Sequence, residues 1–364
     1  MAEPLKHVYS EDFIRDLGER VASHSSLFKV TPFTQDVLAQ NWPELELKAR
    51  MSRIAATLHK HLSSDFKTNA ALICQVAESY RQAGRSGFEY MFLPEYIVAH
   101  GLSDFRTAMQ ALGKITETGS AEFAVRPFLI NQEAKSLRQM LRWANHRNHH
   151  LRRLASEGTR PRLPWAMALP QFKTDPTPIL PILELLKADD SDYVRRSVAN
   201  NLNDISKDHP ELTLDIAAKW QGQGQATDRL IKHACRGLLK AGHPRALALF
   251  GLEAPTHIKI MNFAVATKTV TFGEALSFSL QLQGRKPLGL LRLEYAIDFL
   301  KANGKHSRKV FKISETDHQT NTITLSKRHK FVPITTRRHY PGQHGVAIIV
   351  NGVELAAEQF QLML

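Results

Sequence analysis

Seven arginines and a single acidic residue lie between Ser136 and Arg162: Arg138, Arg142, Arg147, Arg152, Arg153, Arg160 and Arg162 against Glu157. Such a segment attracts phosphate groups, and its charge is too lopsided for ion pairing within it. Glu157, alone among those cations, is poised to meet a positive charge. Trp165 follows Leu163-Pro164 on a proline-rich loop, where its ring can stack on a sugar or base or plug a joint between helices. Asp204 stands four residues after Asn200 and eight after Arg196, which puts the three on one helix face, apart from Val194, Val198 and Leu202. That face either projects its groups together or forms a surface hydrogen-bond ladder. Glu122 and Arg126, four residues apart, read as a helix ion pair worth about 0.2–0.5 kcal/mol.

Other chemistries lack their residues. His146, His149 and His150 have no cysteine nearby and no Asp or Glu at ligand spacing, so no metal is expected there, and their basic setting suits phosphate contact. There is no P-loop, no GxGxxG before a helix and no HExxH. A nucleotide-cofactor enzyme or a zinc hydrolase would have to hide its signature, and no cofactor is expected.

The elements that must position these residues are helical up to about Gly251. Leu137, Met140, Leu141 and Ala144 keep an i, i+3, i+4, i+7 period, as do Ile179, Ile182, Leu183 and Leu186; Val194, Val198, Leu202 and Ile205 form a third stripe. Asp189-Asp190-Ser191-Asp192 supplies capping side chains before that stripe and His209-Pro210 stops it. An apolar residue followed by a base recurs at Val125-Arg126, Leu151-Arg152, Val194-Arg195 and Ile231-Lys232. Stacked as repeats, these would line one face with a basic track.

Near His257 the pattern changes. Leu276 to Leu282 alternates with period two, and Asn303-Gly304 and Asn351-Gly352 each suit a two-residue hairpin turn, so an antiparallel β-sandwich is expected. The expected domains are therefore residues 1–254 and 255–364. From 257 to 364 there are fifteen Lys and Arg against seven Asp and Glu, +8 of the chain's +13. Lys305-His306-Ser307-Arg308-Lys309, Lys327-Arg328-His329-Lys330 and Arg337-Arg338-His339 carry much of it, and an anionic partner follows. Cys74 and Cys235 read as two buried free thiols of a reducing compartment. No secretory start and no apolar run of about 20 residues is visible, so a cytoplasmic protein without a membrane partner is expected.

Three long blocks carry a resemblance: Arg152-Arg153-Leu154-Ala155-Ser156-Glu157-Gly158-Thr159-Arg160-Pro161-Arg162-Leu163-Pro164-Trp165, Val194 to Asp204, and Lys232-His233-Ala234-Cys235-Arg236. With Glu122-Phe123-Ala124-Val125-Arg126-Pro127-Phe128-Leu129, they resemble the AlkC family of bacterial DNA alkylation-repair glycosylases. The resemblance implies an all-α HEAT-like repeat solenoid followed by an all-β immunoglobulin-like sandwich, with duplex DNA held on the concave face and clasped by the sandwich. It implies a monofunctional glycosylase, monomeric and nucleoid-associated, that removes 3-methyladenine and 3-methylcytosine and works on the deoxyribose of a base left in the duplex. By the same resemblance Glu122, Glu157, Asp204 and Trp165 are catalytic. Phe123, Arg126, Arg152, Arg153, Arg160, Arg195, Arg196, Asn200, Lys232, His233, Arg236, Lys305 and Arg308 contact DNA. A non-catalytic HEAT scaffold and a nuclease are the rival readings; the scaffold has no reason to converge three carboxylates, and the nuclease would need a metal-carboxylate cluster.

Overall fold

Capping side chains and prolines set the helix starts. In the computed structural model, which describes residues 3–39, 41–63, 65–334 and 337–364, the helices in chain order are α1 (Glu11–His24), α2 (Val30–Leu38), α3 (Leu47–His61), α4 (Phe66–Gln82), α5 (Phe92–Gly101), α6 (Phe105–Ile115), α7 (Arg126–Asn131), α8 (Glu133–Ala144), α9 (His149–Gly158), α10 (Pro170–Thr174), α11 (Leu180–Leu186), α12 (Asp192–Ile205), α13 (Pro210–Trp220), α14 (Gln225–Ala234), α15 (Arg236–Lys240) and α16 (Pro244–Leu249). Ser10, Asp65, Asp104 and Asn148 each accept a backbone N–H at the start of α1, α4, α6 and α9, satisfying donors that the helix leaves free. Pro170 and Pro244 open α10 and α16, where a missing N–H costs nothing. At α12 the expected side-chain cap is absent: Ser191 is the N-cap but makes no such bond, and Asp189 instead accepts the Ser191 N–H at 2.9 Å.

The helices pack in pairs, α1 on α2, α3 on α5, α4 on α6 and α8 on α9, with α9 continuing onto α12 and α12 onto α14. This is the HEAT-like arrangement. The third stripe is core throughout, since Val194, Val198, Leu202 and Ile205 are all buried, as are Ile179, Ile182, Leu183 and Leu186. Along α8 the core face is shifted from the expected one: Ser136, Met140, Trp143 and Ala144 are buried, and Leu137 and Leu141 are half-buried.

Strands replace helices after Leu249: β1 (Ile258–Val265), β2 (Thr269–Thr271), β3 (Ala275–Gly284), β4 (Gly289–Leu300), β5 (His306–His318), β6 (Thr322–Lys330), β7 (Gly342–Val350) and β8 (Val353–Met363). They form an immunoglobulin-like sandwich of a three-stranded sheet, β1-β3-β6, and a five-stranded sheet, β2-β8-β7-β4-β5, antiparallel except where β2 meets β8. Phe278, Leu280 and Leu282 of β3 share a buried cluster with Tyr295, Ile297 and Phe299 of β4 and Ile348 of β7. Asn351 and Gly352, at φ 45° and 77°, make the two-residue turn between β7 and β8. Asn303-Gly304 does not. There only Gly304 has positive φ, and a five-residue loop closes through Lys301 N–H to Lys305 O at 2.9 Å. Both cysteines are free, Cys235 buried and Cys74 only half-buried; burial pushes their thiols up to about 12 and about 11.

Contacts divide the chain into two compact units, Met1–Thr213 with Trp220–Ala234, and Leu214–Lys219 with Cys235–Leu364. Among the described residues, no helix is long and apolar enough to cross a membrane.

Candidate active site

Two neighbouring helices build the site. On α9, Leu151, Leu154 and Ala155 are buried, which sets Arg153 and Glu157, four residues apart, on one side of the helix. On α12 the polar stripe that meets α9 is Ser197, Asn201 and Asp204. The expected face of Arg196, Asn200 and Asp204 is therefore corrected. Seven residues turn a helix by about 700°, within about 20° of two full turns, whereas eight overshoot by about 80°. Asp204 is 2% exposed, Asn200 is half-buried beside His233 at 3.1 Å, and Arg196 is exposed and paired with Asp192 at 2.8 Å.

The stripe carries a linked ion-pair network. Glu157, 5% exposed, accepts from Arg160 Nη1 at 2.7 Å and from Ser197 Oγ at 2.6 Å, with Arg153 Nη2 at 3.6 Å. Asp204 accepts from Arg160 Nε at 2.9 Å and Lys207 Nζ at 3.2 Å. Glu122, on the turn before α7, accepts from Arg153 Nη1 and from Ser120 Oγ. Burial works against the charge of Arg153 and Arg160, yet Glu122 and Glu157 hold the first, and Glu157 and Asp204 the second, above the ordinary arginine range. Three carboxylates and three cations thus converge. Within the arginine-rich segment Glu157 pairs with Arg153 and Arg160, and the charge left over is met by acids from elsewhere in the chain: Asp189 on Arg152, Asp208 on Arg162, Glu122 on Arg153 and Asp204 on Arg160.

Arg126 has a different role from either one expected. It is fully buried and does not pair with Glu122; Nε donates to Met167 O at 2.6 Å, and Nη1 to Gly158 O at 3.1 Å and Arg160 O at 2.8 Å. One guanidinium staples both arms of the 158–168 loop to α7. Burial, with Arg160 beside it, pulls its pKa down to about 10. Gly158 makes the approach possible, since a Cβ there would stand 2.6 Å from Val125 Cγ2. At the outer end of that loop Trp165 is 63% exposed with φ 66°, which removes the joint-plug reading of its ring. Lys48 of α3 donates to Trp165 O at 2.6 Å.

Residues 30–236 match the family model described as DNA alkylation repair enzyme, and residues 259–364 match the one described as the C-terminal Ig-like domain of uncharacterised protein YhaZ. The Bacillus subtilis (strain 168) protein "Uncharacterized protein YhaZ" is 42% identical over 98% of this chain and 99% of its own. The solved structure of Pseudomonas fluorescens alkylpurine DNA glycosylase AlkC bound to DNA containing an abasic site analog is 36% identical, covers 100% of both chains and superposes with a TM-score of 0.94. The chain belongs to the AlkC family of DNA alkylation repair enzymes.

Within this AlkC-family chain the remaining sequence-derived residues separate by how they are held. Arg152 is bound bidentately to Asp189, at 2.5 and 2.9 Å, and also donates to His146 O and Arg147 O. Arg195 reaches the carbonyls of Asp189 and Asp190. These two and buried Arg126 do not form an open basic track. Phe123 is half-buried, with the Lys48 ammonium 5.5 Å from its ring centroid. A cleft of about 200 Å³ between α12 and α14 gathers Arg195, Arg196, Arg229 and His233 beside Asp192; Lys232 lies half-buried on α14 and Arg236 opens α15. In the second unit Lys305 is exposed in its loop, whereas Arg308 is locked to Asp298 by two bonds of 2.8 Å and to Glu354 at 2.6 Å.

Ser197, Asn201, Lys48 and Arg229 were missed from sequence. The first two had a signal, the i, i+4, i+7 spacing with Asp204; Lys48 lies 117 residues from its partner and had none. The His149 and His150 rings lie 4.4 Å apart with 66° between their planes, and both meet the Tyr193 ring edge-on; no group of His, Cys, Asp or Glu among the described residues is placed to hold a metal. Two larger grooves, about 720 Å³ along α4 and α6 and about 800 Å³ along α6 and α8, share no residue with the carboxylate network.

Proposed function

We propose that this chain is a monofunctional DNA glycosylase that hydrolyses the N-glycosidic bond of cationic N3-methylated bases, 3-methyladenine and 3-methylcytosine, in duplex DNA. The observation that carries the reading is the convergence of Glu122, Glu157 and Asp204 through Arg153 and Arg160, in a chain alike from end to end to an alkylpurine glycosylase. An N3-methylated base already carries positive charge and leaves without a general acid. What the enzyme supplies is negative charge beside the oxocarbenium-like deoxyribose and a place for water, and preorganised carboxylates do this without reorganising at the moment of reaction. The exposed Trp165 ring offers a flat apolar surface to the sugar or base.

On this reading the bond breaks with the base left in the duplex, so no pocket for a flipped base is needed. Phosphates are held by Arg196, Arg229 and His233 along the α12–α14 cleft and by exposed lysines such as Lys305 of the sandwich. Incubation with methylated duplex followed by chromatography tests the reading. Free 3-methyladenine and 3-methylcytosine, with strands intact and chelator without effect, is the expected result. Strand cleavage that a chelator abolishes would make the chain a nuclease, and binding without any base release would make it a scaffold.

A further inference from the structure

Leu163, Pro164, Trp165 and Ala166 form a turn closed by the Ala166 N–H donating to Leu163 O at 3.3 Å. Proline at the second position and a φ of 66° at the third give the pattern of a type II turn, whose third position favours glycine because a Cβ there crowds the backbone. Tryptophan occupies that position here, so the surrounding structure must hold it. Arg126 fixes Met167 O on one side. The Trp165 carbonyl itself is taken by Lys48 Nζ at 2.6 Å, and Lys48, Phe123, Ala166 and Met167 share the wall of one cavity of about 390 Å³ with Met51 and Val98.

We propose that Lys48 is a positioning residue that fixes the Trp165 peptide, so that the indole meets DNA in one orientation. This rests on reading Trp165 as part of the active site. Because Lys48 is exposed, direct contact with a phosphate is the competing role. The two roles differ in what they couple to. A latch acts only through Trp165; a phosphate contact acts independently of it and adds to the salt dependence of binding.

Trp42, Trp143 and Trp220 are buried, so quencher-accessible indole emission reports Trp165. In the free full-length protein Lys48→Met should lower the anisotropy of that emission, and Lys48→Arg should restore it. On methylated duplex Lys48→Met should slow single-turnover excision by about tenfold, with an unchanged salt slope of binding and no further loss in a Trp165→Ala background. Unchanged Trp165 anisotropy would overturn the proposal. So would a loss additive with Trp165→Ala together with a salt slope lower by about 0.9, the mark of one phosphate contact. Excision by Trp165→Ala at the wild-type rate would overturn the active-site reading and the catalytic part of the proposal together; the anisotropy, measured without DNA, separates that failure from failure of the Lys48 contact.

Discussion

Arg160 reaches Glu157 with one nitrogen and Asp204 with another, while Arg126 holds its carbonyl. Its buried guanidinium is what allows two carboxylates to sit almost out of solvent on adjoining helices. Arg160→Met should therefore destabilise the fold by about 3–5 kcal/mol, because it leaves both acids buried without their shared cation. Thermal melts compared with Arg196→Met, whose guanidinium pairs with exposed Asp192, measure this; equal melting temperatures would show that the network contributes nothing. The sequence made Glu157 and Asp204 legible as unusual acids in a basic setting. Arg160 lies three residues from Glu157, a spacing open to view, but its bond to Asp204 spans 44 positions and leaves no local pattern, so nothing in the sequence marked it as the partner shared by both acids.

At the scale of elements, periodicity located the α11 and α12 core stripes and strand β3, since burial of one face is a local property of the sequence. It misplaced the polar face of α12 by one residue, which is enough to exchange Ser197 for Arg196. Turn chemistry was legible at Asn351-Gly352 but not at Asn303-Gly304, where loop length is set by the β4–β5 pairing and not by the dipeptide. The sandwich has a pH dependence of its own. Burial pulls His329 from 6.5 to about 4, with Arg337, His339 and Lys309 adding to the effect, and His339 and His344 are lowered likewise, chiefly by burial. The folded state then binds these protons more weakly than the unfolded chain, so stability is full above about pH 6.5 and is lost as pH falls toward 4. His329→Gln, which can still meet the Tyr295 hydroxyl, should flatten that decline; an identical acid slope in strand-monitored melts would contradict the assignment.

For the whole molecule, +13 over 364 residues predicts duplex affinity that falls steeply with salt, by a logarithmic slope of about 0.9 for each phosphate neutralised. Pairing decides which cations contribute. Lys305→Glu should weaken binding and leave the melting temperature alone, whereas Arg308→Glu should lower the melting temperature, because Asp298 and Glu354 lose their shared partner. Binding titrations at two salt concentrations beside melts separate the two, and equal effects on both quantities would contradict the account. Whether the paired carboxylate cluster drives cleavage of the glycosidic bond is decided by single-turnover base release from 3-methyladenine-containing duplex, comparing the wild type with Asp204→Asn and Glu157→Gln. Each variant should lose on the order of 10²-fold in rate with DNA affinity kept; release at the wild-type rate by both would show that the carboxylates take no part in the reaction.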